Sequence, residues 1–370
     1  MKFKKLYDLC EYVNQKINSS SVNVSLYIST ENMLPQKGGI VRAESIPING
    51  KVNSFLEGDT LVSNIRPYFK KIWKASFSGA CSNDVLIFRA KESVNKMFLY
   101  YLLSEDKFFD YSMASSKGTK MPRGDKKCLM EYEVPDYPRD CQDKIVKLLS
   151  SIDKKIEINN LINKNLEEQA FSVYKEILNT NESSDCLLSE IADITMGQSP
   201  SGETYNETGK GAVFFQGRAE FGNRFPITRL YTTDPKRIAK ANDILMSVRA
   251  PVGDINIAIE PCCIGRGLAA IHSKNSHQSF LLYTMKSLKT QLGIFNGEGT
   301  VFGSINKEAL NNLSIKIPAK TIIDNIEEII SPLDLQIKNN FMENLVLKNI
   351  RDAILPKLMS GEIDVSNIDI

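Results

Sequence analysis

Asp143-Lys144-Ile145-Val146-Lys147-Leu148-Leu149-Ser150-Ser151-Ile152-Asp153-Lys154-Lys155-Ile156-Glu157-Ile158-Asn159 has a counterpart later in the chain. It is Asp324-Asn325-Ile326-Glu327-Glu328-Ile329-Ile330-Ser331-Pro332-Leu333-Asp334-Leu335-Gln336-Ile337-Lys338-Asn339-Asn340, at a constant offset of 181. Asp143, Ile145, Ser150, Asp153, Ile156 and Asn159 face identical residues across the two copies. Working back from this pair, Pro135 and Pro318 close Glu133-Val134-Pro135 and Lys316-Ile317-Pro318 at an offset of 183. Gly118-Thr119 matches Gly299-Thr300, and Phe98-Leu99 with Tyr101 matches Phe280-Leu281 with Tyr283. Asp59, Leu61, Ser63 and Pro67 match Asp243, Leu245, Ser247 and Pro251 at an offset of 184. The offset drifts by only three residues, so the chain is a tandem duplication, and self-similarity of this kind decides architecture.

Each copy reads as a lobe followed by a long helix. The expected domains are 1–138, a first lobe; 139–180, a first helix; 181–318, a second lobe; and 319–370, a second helix with a tail. The lobes carry short β-rich runs between turns, such as Asp84-Val85-Leu86-Ile87-Phe88 and Ile255-Asn256-Ile257-Ala258-Ile259. Helical pattern enters them at Lys96 to Leu103 and Ser279 to Leu288. Neither lobe alternates strand and helix as a doubly wound sheet does, so the expected class is α+β with two mixed α/β lobes in tandem.

In the first helix, apolar residues including Ile145, Leu149, Ile152, Ile156 and Leu166 recur every three or four positions. Ile326, Ile330, Leu333, Ile337 and Leu345 repeat the pattern in the second. At about 1.5 Å per residue, forty such residues make a rod on the order of 60 Å. Two rods with one apolar stripe each can bury those stripes against one another as a coiled coil. The expectation is an antiparallel pair with pseudo-twofold symmetry. Asn159 and Asn340 occupy matching positions, where they either fix register inside the seam or lie on the outer face.

At 370 residues, with 42% apolar and 24% charged residues, the chain has the composition of a multi-domain globular protein. No apolar run approaches a membrane span, and the Lys-rich start has no apolar signal core behind it. The seven cysteines include no CxxC, which points to reduced thiols in a cytoplasmic protein. With only His272 and His277, HExxH zinc chemistry is excluded. Gly202 to Gly209-Lys210-Gly211 has the wrong spacing for a phosphate loop and lacks its Ser or Thr. Gly265-Arg266-Gly267 leads into Leu268-Ala269-Ala270-Ile271, which reads as a strand and not as the helix a dinucleotide fingerprint opens. Cys262-Cys263 has no second ligand pair at zinc spacing, so it reads as buried packing. No catalytic constellation or metal site is expected.

The lobe–helix–lobe–helix order resembles the specificity subunit of type I restriction–modification systems. Gly197-Gln198-Ser199-Pro200, Tyr205-Asn206, Phe215-Gln216-Gly217 and Leu355-Pro356-Lys357-Leu358-Met359-Ser360-Gly361-Glu362-Ile363 carry the resemblance, which covers essentially the whole chain. It implies that each lobe is a target-recognition domain reading half of a split double-stranded DNA site, with the helices as a fixed ruler. It also implies two methyltransferase subunits as partners, with restriction subunits joining them. The chain shows no S-adenosylmethionine or ATP motif, so those cofactors and Mg are expected on the partners. The first lobe lacks a clear counterpart of the GQSP to FQG stretch, which implies two different half-sites.

Charge distribution agrees with that expectation. Residues 1–138 carry net +5 and 181–318 net +1, whereas 139–180 are neutral and 319–370 carry −4. The second lobe is weakly charged for a stand-alone DNA binder, so most phosphate affinity is expected from the partners. In the first lobe Lys70, Lys71 and Lys74, and Lys117, Thr119, Lys120 and Arg123, form basic clusters suited to a sugar–phosphate backbone. In the second, Gln216, Arg218, Arg224, Arg249 and Arg266 are candidate base readers, because Arg pairs bidentately with guanine and Gln with adenine. Phe214, Phe215, Phe221 and Phe225 read as lobe interior. The competing classes are a coiled-coil scaffold without a nucleic-acid role and a hydrolase with an unrecognised site.

Overall fold

The structure is a computed structural model that describes residues 2–116, 118, 120–297 and 303–366. It divides into two compact units, residues 1–157 with 344–370, and residues 158–343. The matched Gly118-Thr119 and Gly299-Thr300 lie partly or wholly outside the described residues.

In the first unit, four antiparallel strands lie in the order Cys10–Val13, Val85–Ala90, Thr60–Ser63, Ile72–Lys74. In the second, the order is Ala192–Met196, Leu268–Ser273, Ile244–Ser247, Ile255–Ile257. These sheets are apolar on both faces, which explains the unbroken apolar runs. Val85 and Ile87 face one core with Leu61, while Leu86 and Phe88 face another with Val62. The same period-2 division sends Leu245 and Ala270 to one side and Ile244, Met246 and Ile271 to the other. Phe214, Phe215 and Phe225 are buried, and Cys262 and Cys263 are wholly so.

A second sheet in each lobe contains one parallel pair: Tyr27–Ile28 beside Gly79–Cys81, and Ala212–Phe215 beside Cys262–Ile264. Short antiparallel pairs tie the start of each lobe to its end: Phe3–Lys5 with Glu133–Pro135, and Ser183–Leu187 with Ser314–Pro318.

The long helices run Arg139–Thr180 and Lys320–Ser360. Their first turns are pinned to the lobes by duplicated polar contacts. Asn95 caps helix Lys96–Leu103 and donates to Asp143 Oδ1 at 2.6 Å; in the other copy His277 meets Asp324 Oδ1 at 2.7 Å. Nearly three turns further on, the Tyr101 hydroxyl donates to Asp153 at 2.6 Å and the Tyr283 hydroxyl to Asp334 at 2.9 Å.

The apolar stripe is used differently from the simple seam expected. Ile145 and Leu149 are fully buried in the first lobe's core, together with Leu355, Leu358 and Met359. Ile326 and Ile330 lie in the second lobe's core with Ala170 and Tyr174, and Leu333 packs beside them. Each helix therefore spends its first turns closing a lobe. Ile156 and Ile337 are buried, Ile152 and Leu166 are half-buried, and Leu345 is 39% exposed. Within the second unit, Asn159 donates to Glu343 at 2.7 Å, and Asn340 to Asn163 at 2.8 Å. Asn159 and Asn340 are buried, so both are inward polar residues with satisfied amides.

Candidate nucleic-acid interface

In the second lobe, three motifs singled out in the sequence converge through backbone. Gly265 N–H donates to Phe215 O at 2.8 Å, Gln198 N–H to Ile264 O at 2.9 Å, and Gly197 N–H to Leu268 O at 2.9 Å. Arg266 N–H reaches Ser199 Oγ at 3.2 Å, and Val248 N–H donates to Gly267 O at 2.9 Å. The glycines permit this crowding. A Cβ on Gly197 would stand 2.2 Å from Gly265 O, and one on Gly265 would stand 2.7 Å from Gln216 O. The resulting corner exposes Gln198, Gln216, Arg249 and Arg266. These are hydrogen-bonding side chains of the kind that reads base edges, on a rigid backbone support.

Two of the candidate readers sit elsewhere. Arg218 is exposed but ion-paired with Asp254. Arg224 corrects the expectation: it is 6% exposed, and its guanidinium is held by Asp334, by Glu167 at 3.5 Å and by the Tyr283 hydroxyl at 3.3 Å. A buried cation with internal carboxylate partners is a structural tie and not a base reader. Lys286 joins this cluster through Glu167, and burial pushes its ammonium down to about 8 against the raising effect of Asp334.

The first lobe builds the same corner from different residues. Ser82 N–H donates to Ile28 O as Gly265 does to Phe215 O, and Asn64 N–H donates to Asp84 O as Val248 does to Gly267 O. Arg66 N–H donates to Pro122 O as Ala250 does to Gly303 O, and the bridge Ile65–Arg123 repeats Arg249–Ser304. Ser29-Thr30 and Ser82-Asn83-Asp84 thus occupy the places of Gln216-Gly217 and Gly265-Arg266-Gly267. The corner opens on a cleft of about 590 Å³ lined by Ser29, Thr30, Glu31, Arg66, Lys71 and Asp84 among others. The counterpart that the sequence failed to show exists as backbone. Its signal was present only as spacing from the shared Asp59-x-Leu61-x-Ser63 anchor, since no residue of the corner is repeated.

The basic residues expected there are partly engaged. Lys71 Nζ donates to Thr30 O at 2.6 Å; burial lowers its pKa, with Glu31 opposing. Lys70 and Lys37 share Asp106, each at 2.9 Å. Burial raises the Asp106 carboxyl, but the two ammoniums outweigh it and the net shift is downward. Arg123 is half-exposed beside Asp84 at 3.1 Å, Lys120 is exposed and Lys74 is half-buried. Lys117 and Thr119 lie outside the described residues. Among the described residues no group of three or more side chains is arranged to hold a metal, and no helix is long and apolar enough to cross a membrane.

Comparison with known proteins places the fold and its repeat. The family model described as the type I restriction modification DNA specificity domain matches residues 1–168 and again 183–348. The putative type I restriction enzyme MjaX specificity subunit of Methanocaldococcus jannaschii is 31% identical over 309 residues, 76% of this chain and 72% of its own. The MjaIX specificity subunit of the same organism is 25% identical over 315 residues, 75% of this chain and 71% of its own. The crystal structure of the type I restriction–modification S subunit from M. genitalium shares the fold, with a TM-score of 0.58 and 17% identity, covering 97% of this chain and 96% of its own. The chain belongs to the type I restriction–modification specificity-subunit family, and it carries that family's DNA specificity domain twice.

Proposed function

We propose that this subunit reads a bipartite, asymmetric duplex through the two corners just described, one on each lobe. The observation that carries the reading is a backbone corner in which three hydrogen bonds of one lobe, from Ser82, Asn64 and Arg66, recur in the other from Gly265, Val248 and Ala250, with none of its exposed side chains repeated. Identical scaffolds with unlike side chains fit two half-sites of unlike sequence. Gln198, Gln216, Arg249 and Arg266 serve one half-site; Ser29, Thr30, Arg66 and the residues around them serve the other. Lys74, Lys120 and Arg123 contribute phosphate contacts. In this scheme residues 1–138 and 181–318 are the target-recognition domains, and residues 139–180 and 319–370 supply the spacer helices.

The long helices act as an antiparallel coiled coil with pseudo-twofold symmetry, which sets the number of unread base pairs. In support, residues 159 and 343 pair, as do 163 and 340, a register that runs antiparallel within the second unit. Two methyltransferase subunits dock on this scaffold, with restriction subunits beyond them. S-adenosylmethionine, ATP and Mg belong to those partners, and the complex works in the cytoplasm. The subunit supplies specificity and no catalysis of its own. A protein-binding scaffold without a nucleic-acid role does not account for two family matches that together span most of the chain.

The ruler is testable by inserting one heptad into each long helix. Seven residues preserve the apolar stripe and add about 10 Å, or roughly three base pairs. Methylated-motif sequencing of cells carrying the variant should return both half-sites unchanged with a longer spacer. A changed half-site at constant spacing would contradict the ruler.

A further inference from the structure

Four of the six non-glycine residues with positive φ among the described residues fall in one patch of the first lobe. They are Gln36, Lys37, Arg66 and Lys70, at φ 54°, 60°, 50° and 52°. Arg66 and Lys70 bracket the short turn Pro67–Phe69, so a five-residue strap is held in left-handed backbone at both ends. Strain of this kind persists only where surrounding structure enforces it. Here the enforcement is visible. Gln36 N–H donates to Phe69 O at 2.8 Å and Lys37 N–H to Lys70 O at 2.9 Å, while Asp106 clamps both lysines.

What the strap presents is an aromatic pair. Tyr68 and Phe69 are 46% and 37% exposed, with ring centroids 4.6 Å apart. At the matching turn the second lobe, among its described residues, has no such pair: its shorter turn places Val252, 5% exposed, at the position of Tyr68. The strap begins at Arg66, a member of the first lobe's corner; Lys37 and Lys70 meet at Asp106 beside it, Lys71 Nζ stands 5.8 Å from the Phe69 ring, and Arg123 bridges to Ile65. Two exposed rings on a strained support, with Arg66 and Lys71 close by and continuous with the base-reading corner, have the chemistry of a wedge for duplex DNA.

We infer that Tyr68 and Phe69 insert between base pairs of the first lobe's half-site, unstacking one step and bending the duplex there. The inference rests on the proposed DNA-reading function and adds indirect readout to it, favouring a flexible pyrimidine–purine step at that position. Cations around the strap hold the displaced backbone.

The test uses the subunit assembled with its methyltransferase partner and a duplex carrying the motif this system methylates, with 2-aminopurine placed at successive positions. Wild-type complex should raise fluorescence several-fold at one step in one half-site. The double variant Tyr68→Ala with Phe69→Ala should abolish that rise and weaken binding to the motif by tenfold or more. Tyr68→Leu with Phe69→Leu keeps an apolar wedge and should retain most of the rise. Circular dichroism and assembly with the partner check that each variant folds. A wild-type rise untouched by the Ala variant overturns the inference. So does an affinity loss restricted to replacing thymine by uracil, which marks a groove contact with a thymine methyl. A variant that reads DNA normally but fails to assemble marks the strap as a protein contact and overturns it equally. Failure of the wild-type complex to bind any methylated motif would instead count against the DNA-reading function itself.

Discussion

Asp334→Ala should lower the stability of the second unit by about 3–5 kcal/mol, the range for stripping one partner from a buried ion pair. Asp334 is the meeting point of the Arg224 guanidinium and the Tyr283 hydroxyl, and Arg224 is only 6% exposed. Removing the carboxylate leaves a buried cation whose remaining charged partner, Glu167 at 3.5 Å, is shared with Lys286. Arg224 Nε already lacks a partner in its pocket, so little reserve exists to absorb the loss. For a unit of this size the thermal midpoint should fall by roughly 10 °C, since each kcal/mol is worth about 2–4 °C. Arg224→Met combined with Asp334→Leu should recover most of the loss, because replacing both charges by apolar groups removes the unpaired ion. The equivalent Asp153→Ala should cost less. Its partner Arg351, at 2.8 Å, and Asp153 itself remain 26% and 30% exposed, and water screens what is left. A midpoint for Asp334→Ala within about 2 °C of wild type would refute this account of the cluster.

The same cluster shows where sequence reasoning ran short. Arg224 stands among glycines and aromatics, a setting that reads as a loop aimed at a ligand. Its partner Asp334 lies 110 residues away, and no local pattern joins them. By contrast the duplication, the strand runs and both long helices were legible, because each rests on periodicity or repetition within one stretch. The Asp59 and Asp243 turns illustrate how far repetition reaches: each carboxylate accepts from a backbone N–H three residues earlier, Leu56 and Lys240. Even there the repeat is silent on the cross-strand partner, which is Arg89 in one lobe and His272 in the other. The helix stripe is legible as apolar, but periodicity says nothing about which neighbour covers each turn. Ile145 and Ile326 therefore lie in lobe cores, each of which also takes in turns of the other long helix. The first lobe's corner was the least visible feature, because backbone hydrogen bonds define it and its side chains diverged.

Gly197→Ala should severely damage the second lobe's corner. The added Cβ meets Gly265 O at 2.2 Å, Ile264 O at 2.8 Å and Gly265 C at 2.9 Å, all backbone atoms that have no rotamer to move. Overpacking of this kind costs about 1–3 kcal/mol, and relief requires the Gly197 and Ile264–Gly265 segments to part. Specific binding should fall by about tenfold to a hundredfold at the second half-site, the equivalent of one or two lost base contacts. The first half-site should be read as before. Arg266→Ala supplies the control, since it deletes a reader and leaves the support intact. It should relax the sequence preference at one or two base pairs with no loss of thermal stability. Competition binding against single-base variants of the motif separates the two outcomes. Equal weakening toward every sequence would show that this corner holds phosphates and does not read bases.

The central claim is that this one chain carries both halves of a split specificity. Single-molecule methylome sequencing of the source genome, before and after deleting the gene, tests it most directly. The account predicts that deletion removes methylation from one bipartite motif with two unlike half-sites. Restoring the gene with the second lobe's corner rebuilt, by changing Gln216, Arg249 and Arg266 together, should return methylation with only one of the two half-sites altered. Loss of a continuous or palindromic motif, or simultaneous change of both half-sites, would contradict it.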